Sequence, residues 1–174
     1  MKRIALLALL ALCMTACVSI PEKATAVKDF KQDKFLGTWY EIARFDFKYE
    51  KDLDLVTAQY TLREDGKIRV DNKGYNGVKK EWQQKIGKAK SVGSDTDGRL
   101  KVSFFGPFYS GYNVVSIDED YNYVLVMGND LDYIWFLSRT KEMPEAIKTK
   151  YKKMAEEVGY DLNRLRWTDQ KMKP

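Results

Sequence analysis

Covalent chemistry in a protein starts from thiols, imidazoles and carboxylates held close together, and this chain offers few of them. Histidine is absent from all 174 residues, which removes the commonest general base and the commonest metal ligand at once. Both cysteines, Cys13 and Cys17, lie near the start, so the body of the chain has no thiol nucleophile and no disulfide. No glycine-rich phosphate loop and no Gly-x-Ser-x-Gly turn occurs. Glu41 reads as a lone acid within an apolar run, a setting in which a carboxylate more often bonds its neighbours than catalyses. The reading is therefore not an enzyme, with no catalytic residue, no metal site and no cofactor.

The residue with assignable chemistry is Cys17, because of what precedes it. Lys2 and Arg3 form a positive start, Ile4 to Leu12 is an apolar run too short to span a bilayer, and small residues follow. That is the layout of a secretory signal over residues 1–16. Met14-Thr15-Ala16-Cys17 resembles the bacterial lipobox, with Met14 where leucine is usual. The resemblance implies that Cys17 becomes the first mature residue and the lipid attachment site; an ordinary signal followed by an incidental cysteine is the alternative. Val18 and Ser19, not aspartate, follow Cys17, and the sorting habit of such lipoproteins then implies the bacterial outer membrane, facing the periplasm. Cleavage lowers the formal charge of +5 to about +3, too weak a bias to argue for nucleic acid. No later stretch is apolar for the roughly 18 residues a spanning helix needs, so the mature body reads as soluble and tethered.

The elements that would position a site are mostly strands. Residues 17–35 read as a lipidated tether and lead-in, with Phe30 and Phe35 as plugs, and 36–174 as one domain. Short β-rich runs at 37–46, 55–63, 67–74, 80–90, 99–105, 111–117, 121–127 and 132–139 are closed by turn residues, best seen in Glu64-Asp65-Gly66-Lys67. Eight antiparallel strands leave two open edges unless the sheet closes, which favours an up-and-down barrel. Such a barrel has room for side chains or one small ligand. A helix follows, entered at Pro144 and ended at Gly159, with Ile147, Tyr151, Met154 and Val158 as the stripe packed outside the barrel. Lys148, Lys150, Lys152 and Lys153 read as a solvated face, with a membrane-surface role as the alternative.

At Gly37-Thr38-Trp39-Tyr40, continued by Glu41-Ile42-Ala43-Arg44-Phe45, the sequence resembles the first conserved segment of the lipocalins. Asp118 to Leu125 is similar in position to the second segment, although it departs from the usual Thr-Asp-Tyr, and Leu137-Ser138-Arg139 matches the third. Taken with Leu100 to Val114 and Thr140, the chain resembles the bacterial outer-membrane branch of that family, relatives of apolipoprotein D. The resemblance implies that Arg139 packs across the Trp39 ring beside Gly37 and seals the base of the barrel, a cation–π contact with a structural role.

It also implies the direction of the cup. Alternation along each strand, anchored on Trp39 and the family's pocket aromatics, places Glu41, Ala43 and Phe45 inside, with Ala58, Tyr60 and Leu62, Val102 and Phe104, Tyr112 and Val114, and Tyr133, Trp135 and Leu137. Phe45, Tyr60, Phe104, Tyr112 and Trp135 are the candidate ligand contacts; barrel filling is the alternative for each. An apolar cup with a few hydroxyls suits a fatty acid or lysophospholipid, bound for storage or transport in upkeep of the envelope under stress. The competing expectation is an envelope interaction protein whose barrel is filled. Gly106 to Gly111 reads as a mouth loop serving as lid, membrane-dipping tip or self-association patch, and a homodimer is left open.

Overall fold

Turn chemistry sets the strand boundaries of the computed structural model, which describes residues 18–174; the signal segment and Cys17 lie outside the described residues. At the turn after the second strand, Gly66 takes φ +75°, the Asp65 carboxylate accepts from the Lys67 amide, and Arg63 N–H donates to the Lys67 carbonyl. Positive φ is why glycine stands there.

The strands are β1 (Gly37–Phe45), β2 (Leu53–Leu62), β3 (Ile68–Asn76), β4 (Glu81–Ser91), β5 (Arg99–Phe105), β6 (Phe108–Ile117), β7 (Tyr123–Met127) and β8 (Ile134–Ser138). Each pairs antiparallel with its neighbour, and β1 pairs with both β2 and β8, closing the expected eight-stranded barrel. A short helix α1 (Gln32–Phe35) precedes the barrel and α2 (Glu145–Val158) follows it. Pro144 sits at the N-cap of α2, and Gly159 ends it at φ +114°, its amide donating to Ala155 and Glu156 carbonyls. Tyr151 and Ala155 are the buried faces of α2 against the outside of the barrel, with Tyr151 edge-on to Phe136 at 5.5 Å.

A ninth strand, β9 (Leu165–Trp167), was not expected. It pairs with Ala43–Phe45 on β1, while β2 pairs only with Gly37–Tyr40. As β2 diverges toward the open end, β9 takes its place on the same edge. Gln170 then closes the seam by donating from Nε2 to the carbonyls of Glu41 on β1 and Val56 on β2. Unpaired backbone groups on a buried edge are costly, and the C-terminal segment supplies their partners.

Two apolar clusters result, one inside the barrel and one between its outer wall and α2. The lead-in is not a free linker over its described length. Phe30 and Phe35 plug the closed end as expected. Upstream, the chain climbs the β5–β6 wall: Val27 N–H donates to Val114, Arg99 donates to the Val18 carbonyl, and Ser19 Oγ donates to the Asn129 carbonyl. Gly111 makes this docking feasible, since a Cβ there would lie 2.7 Å from the Ser19 carbonyl oxygen.

Candidate ligand-binding cup

At the closed end the residues that the resemblance singled out come together. Arg139 lies 3.8 Å from the Trp39 ring centroid. Its guanidinium donates to the carbonyls of Thr38 at 2.8 Å, Lys34 at 2.7 Å, Leu36 at 2.8 Å and Tyr121 at 3.2 Å. Gly37 takes φ +95°, and a Cβ there would meet Arg139 Nη1 at 3.3 Å. Trp39 Nε1 donates to the Phe35 carbonyl, so one arginine and one indole tie α1, β1 and the β6–β7 turn together.

Above this base the strands point an aromatic column into the barrel. The Phe35 ring lies 4.9 Å from Tyr60. Tyr60 and Tyr112 share a hydrogen bond between their hydroxyls at 2.8 Å. Burial pushes both phenols well above their usual range, so both are neutral donors. Tyr112 stacks on Trp135 at 6.0 Å, Trp135 stacks on Tyr133 at 6.2 Å, and Phe47 stands edge-on to Trp135 at 6.1 Å. Beside this column is a cavity of about 250 Å³, bounded by Tyr60, Val102, Phe104, Tyr112, Trp135 and others and opening between the turns at one end. A smaller space of about 70 Å³ adjoins it behind Phe104 and Glu50. Tyr60, Tyr112 and Trp135 touch one another but leave this cavity beside them, so the barrel is not filled.

Three expected directions are corrected. Alternation predicts Ala43 and Phe45 inside, but the register between β1 and β8 slips at Ile42, an extra residue between the pairs Glu41–Leu137 and Ala43–Phe136. A bulge inverts every later side chain. Ala43 and Phe45 therefore face the outer cluster, where Phe45 meets Tyr160 at 5.7 Å and Arg164 at 4.7 Å. Phe45 is accordingly not part of the cup. Leu62, expected inside, is 52% exposed at the end of β2, beyond the plug formed by Phe30 and Phe35. The mouth segment 106–111 is also shorter than expected, because Phe108 to Gly111 belong to β6 and leave a two-residue turn.

The same bulge turns Arg44 inward, opposite Trp135. Its side chain is fully buried and ion-paired with Glu41 and with Asp46 at 2.7 Å. It also donates to the carbonyls of Glu50 and Leu53 and to Thr168 Oγ1. Glu50, from the β1–β2 loop, reaches back into the cup and accepts from Trp135 Nε1 at 3.0 Å. Burial first, and then the nearby Glu41 charge, push its carboxyl up to about 8, against the opposing pull of Trp135 and Arg44. Asn72 Oδ1, also on the wall, is buried without a hydrogen-bond partner among the described residues. Glu41 was expected inside the barrel; Glu50 and Asn72, which line the cup with it, and Arg44, buried against it, were missed. The sequence signal available was two charges, Glu41 and Arg44, inside an otherwise apolar strand.

A closed eight-stranded barrel sealed at one end and hollow at the other defines the class of cup-shaped barrels that bind small hydrophobic molecules. The lipocalin-like domain model matches residues 30–170, and the chain belongs to the lipocalin family. It is 49% identical over 150 residues to the outer membrane lipoprotein Blc of Citrobacter freundii, covering 86% of this chain and 85% of that one. To Blc of Vibrio cholerae it is 46% identical, covering 90% and 92%. Among solved structures, insecticyanin from the tobacco hornworm has the same fold, with a TM-score of 0.68 at 18% identity over 87% of this chain and 86% of that one.

Proposed function

We propose that the protein holds a fatty acid or lysophospholipid in the cup and stores or transports it at the bacterial outer membrane, anchored through acylated Cys17 on the periplasmic face. The observation that carries this reading is the cavity of about 250 Å³, apolar and aromatic in its walls and open at one end only. An acyl chain fits that lining without specific recognition. Ten buried methylenes at ~0.8 kcal/mol each contribute about 8 kcal/mol, which sets roughly a micromolar Kd as the upper bound on affinity from the chain alone before ordering costs. The polar wall at the mouth side suits the head of such a ligand, because Glu50 in its protonated state is a donor to a carboxylate or phosphate oxygen. The relatives' description as outer membrane lipoproteins supports the location.

The test is native mass spectrometry of residues 18–174, which hold every element of the barrel, prepared without detergent and mixed with excess lysophospholipid. A one-to-one adduct is expected. Trp135→Ala removes a ring worth two to three methylenes of contact, about 2 kcal/mol, so Kd rises at least tenfold. No adduct with either lysophospholipid or fatty acid overturns the reading in favour of a protein that binds partners through its surface.

A further inference from the structure

The distribution of exposed apolar side chains over the barrel is lopsided. Tyr49, Val78, Trp82, Phe105, Phe108 and Leu131 are all exposed, Phe108 by 76%. Tyr49, Val78 and Leu131 stand in the β1–β2, β3–β4 and β7–β8 connections, and Trp82, Phe105 and Phe108 on the strand ends beside the β3–β4 and β5–β6 turns, the four connections at the mouth end of the barrel. At the closed end Leu62 is the exposed counterpart. A ring of aromatic tips around a binding mouth is an exposed apolar patch of the kind that marks an interaction surface.

Its chemistry is that of a water–lipid boundary. Lys48, Lys51, Lys79 and Lys80 are interleaved with the aromatic tips. Lys85 Nζ lies 3.8 Å from the Tyr49 ring centroid and 5.6 Å from that of Phe105. Aromatic rings with lysines whose stems lie along them match a headgroup layer, where one end is apolar and the other wet. Charge does not separate the two ends: the mouth connections also carry Asp46, Glu50, Asp52, Asp130 and Asp132, and at the closed end Asp95, Asp97, Asp118, Glu119 and Asp120 stand with Arg63 and Lys67 of the β2–β3 connection, so the aromatic tips make the difference.

The lead-in adds an independent constraint. From Phe30 at the closed end it climbs the barrel wall toward the mouth, where Ser19 bonds Asn129 of the β7–β8 mouth loop and Asn113 of β6, and the Val18 carbonyl accepts from the long Arg99 side chain at the start of β5. Cys17 is two residues further on. A docked lead-in delivers an anchor at that position to the mouth side of the barrel, which a free tether of the same length would not.

We infer that the open end of the barrel docks on the lipid bilayer that carries the anchor, with Phe105, Phe108 and Leu131 in the headgroup layer and the cup facing the membrane. The inference rests on acylation of Cys17. With the mouth held there, a lipid passes between bilayer and cup without its acyl chain crossing water.

The test uses the full acylated chain in vesicles containing anionic phospholipid. The mature chain has no free thiol once Cys17 carries its lipid, so Phe108→Cys and Asp95→Cys each give one site for a nitroxide label; both positions are exposed and tolerate it. Flotation with the vesicles reads anchoring, and collision of the label with oxygen against a water-soluble nickel chelate reads depth. The expected result is flotation of both, with an oxygen-to-nickel ratio at least threefold higher at position 108 than at 95. Flotation with both labels equally in water overturns the docking while leaving the anchor intact. Failure to float overturns the anchor and the docking with it. Spin–spin broadening at position 108 that vanishes on dilution with unlabelled protein shows a second copy on the rim and also overturns it.

Discussion

Arg44→Met breaks the one fully buried charge cluster inside the barrel wall, and the size of the effect follows from its contacts. The guanidinium is buried, paired with Glu41, which is itself 3% exposed, and bonded to the carbonyls of Glu50 and Leu53. Methionine fills much of the volume but leaves the Glu41 carboxylate with the Thr168 hydroxyl as its remaining side-chain donor. Stranding one partner of a buried pair costs ~3–5 kcal/mol. For a domain of this size each kcal/mol is worth about 2–4 °C, so the midpoint falls by about 10 °C. Glu41→Gln combined with Arg44→Met removes the stranded charge and recovers about half of the loss, a coupling of about 2 kcal/mol. Urea unfolding followed by tryptophan fluorescence measures Arg44→Met, Glu41→Gln and the double variant. A loss under 1 kcal/mol for the single variant, or a double variant no better than the single, refutes the account. Because Arg44 also holds the Glu50 carbonyl, amide exchange in residues 46–52 speeds up in the single variant.

Glu50 gives stability a pH dependence of known sign. Its carboxyl is pushed up to about 8 in the folded chain from an ordinary value of 4.5, so between those values the folded state holds a proton that the unfolded state has released. Its contribution is complete below about pH 4.5, is lost as pH rises, and levels off above about pH 8. Glu50→Gln flattens that decline, which midpoints measured from pH 5 to 9 in both proteins will show. Arg139→Lys keeps the charge but not the planar fork that reaches five carbonyls and covers Trp39; a loss of about 2–3 kcal/mol and a red-shifted Trp39 emission are expected by denaturation and fluorescence. Gly111→Val collides with the Ser19 carbonyl and with Asn129 Oδ1; limited proteolysis should then cut within residues 18–27 while the barrel stays resistant.

Much of this protein was legible in its sequence because the signals are local. Turn residues recur between β-rich runs, so the eight strands, their antiparallel order and the outer helix follow from periodicity and from the need to close the edges. The Trp39–Arg139 base and the inward aromatics Tyr60, Phe104, Tyr112 and Trp135 follow from alternation within strands that keep their register, together with the family resemblance. What the tertiary structure decided lies where register breaks or where distant segments meet. The bulge at Ile42 exchanges Phe45 for Arg44 inside the barrel; a bulge is stabilised by what it lets neighbouring strands do, and its one mark in the nine-residue run is the odd spacing of Glu41 and Arg44. β9 is three residues long and forms because β2 leaves part of β1 unpaired. The placing of Glu50 in the cup depends on Trp135, 85 residues away. Composition and period report the environment each residue prefers, whereas strand slips and loop insertions are set by the edges left open after the whole sheet has closed.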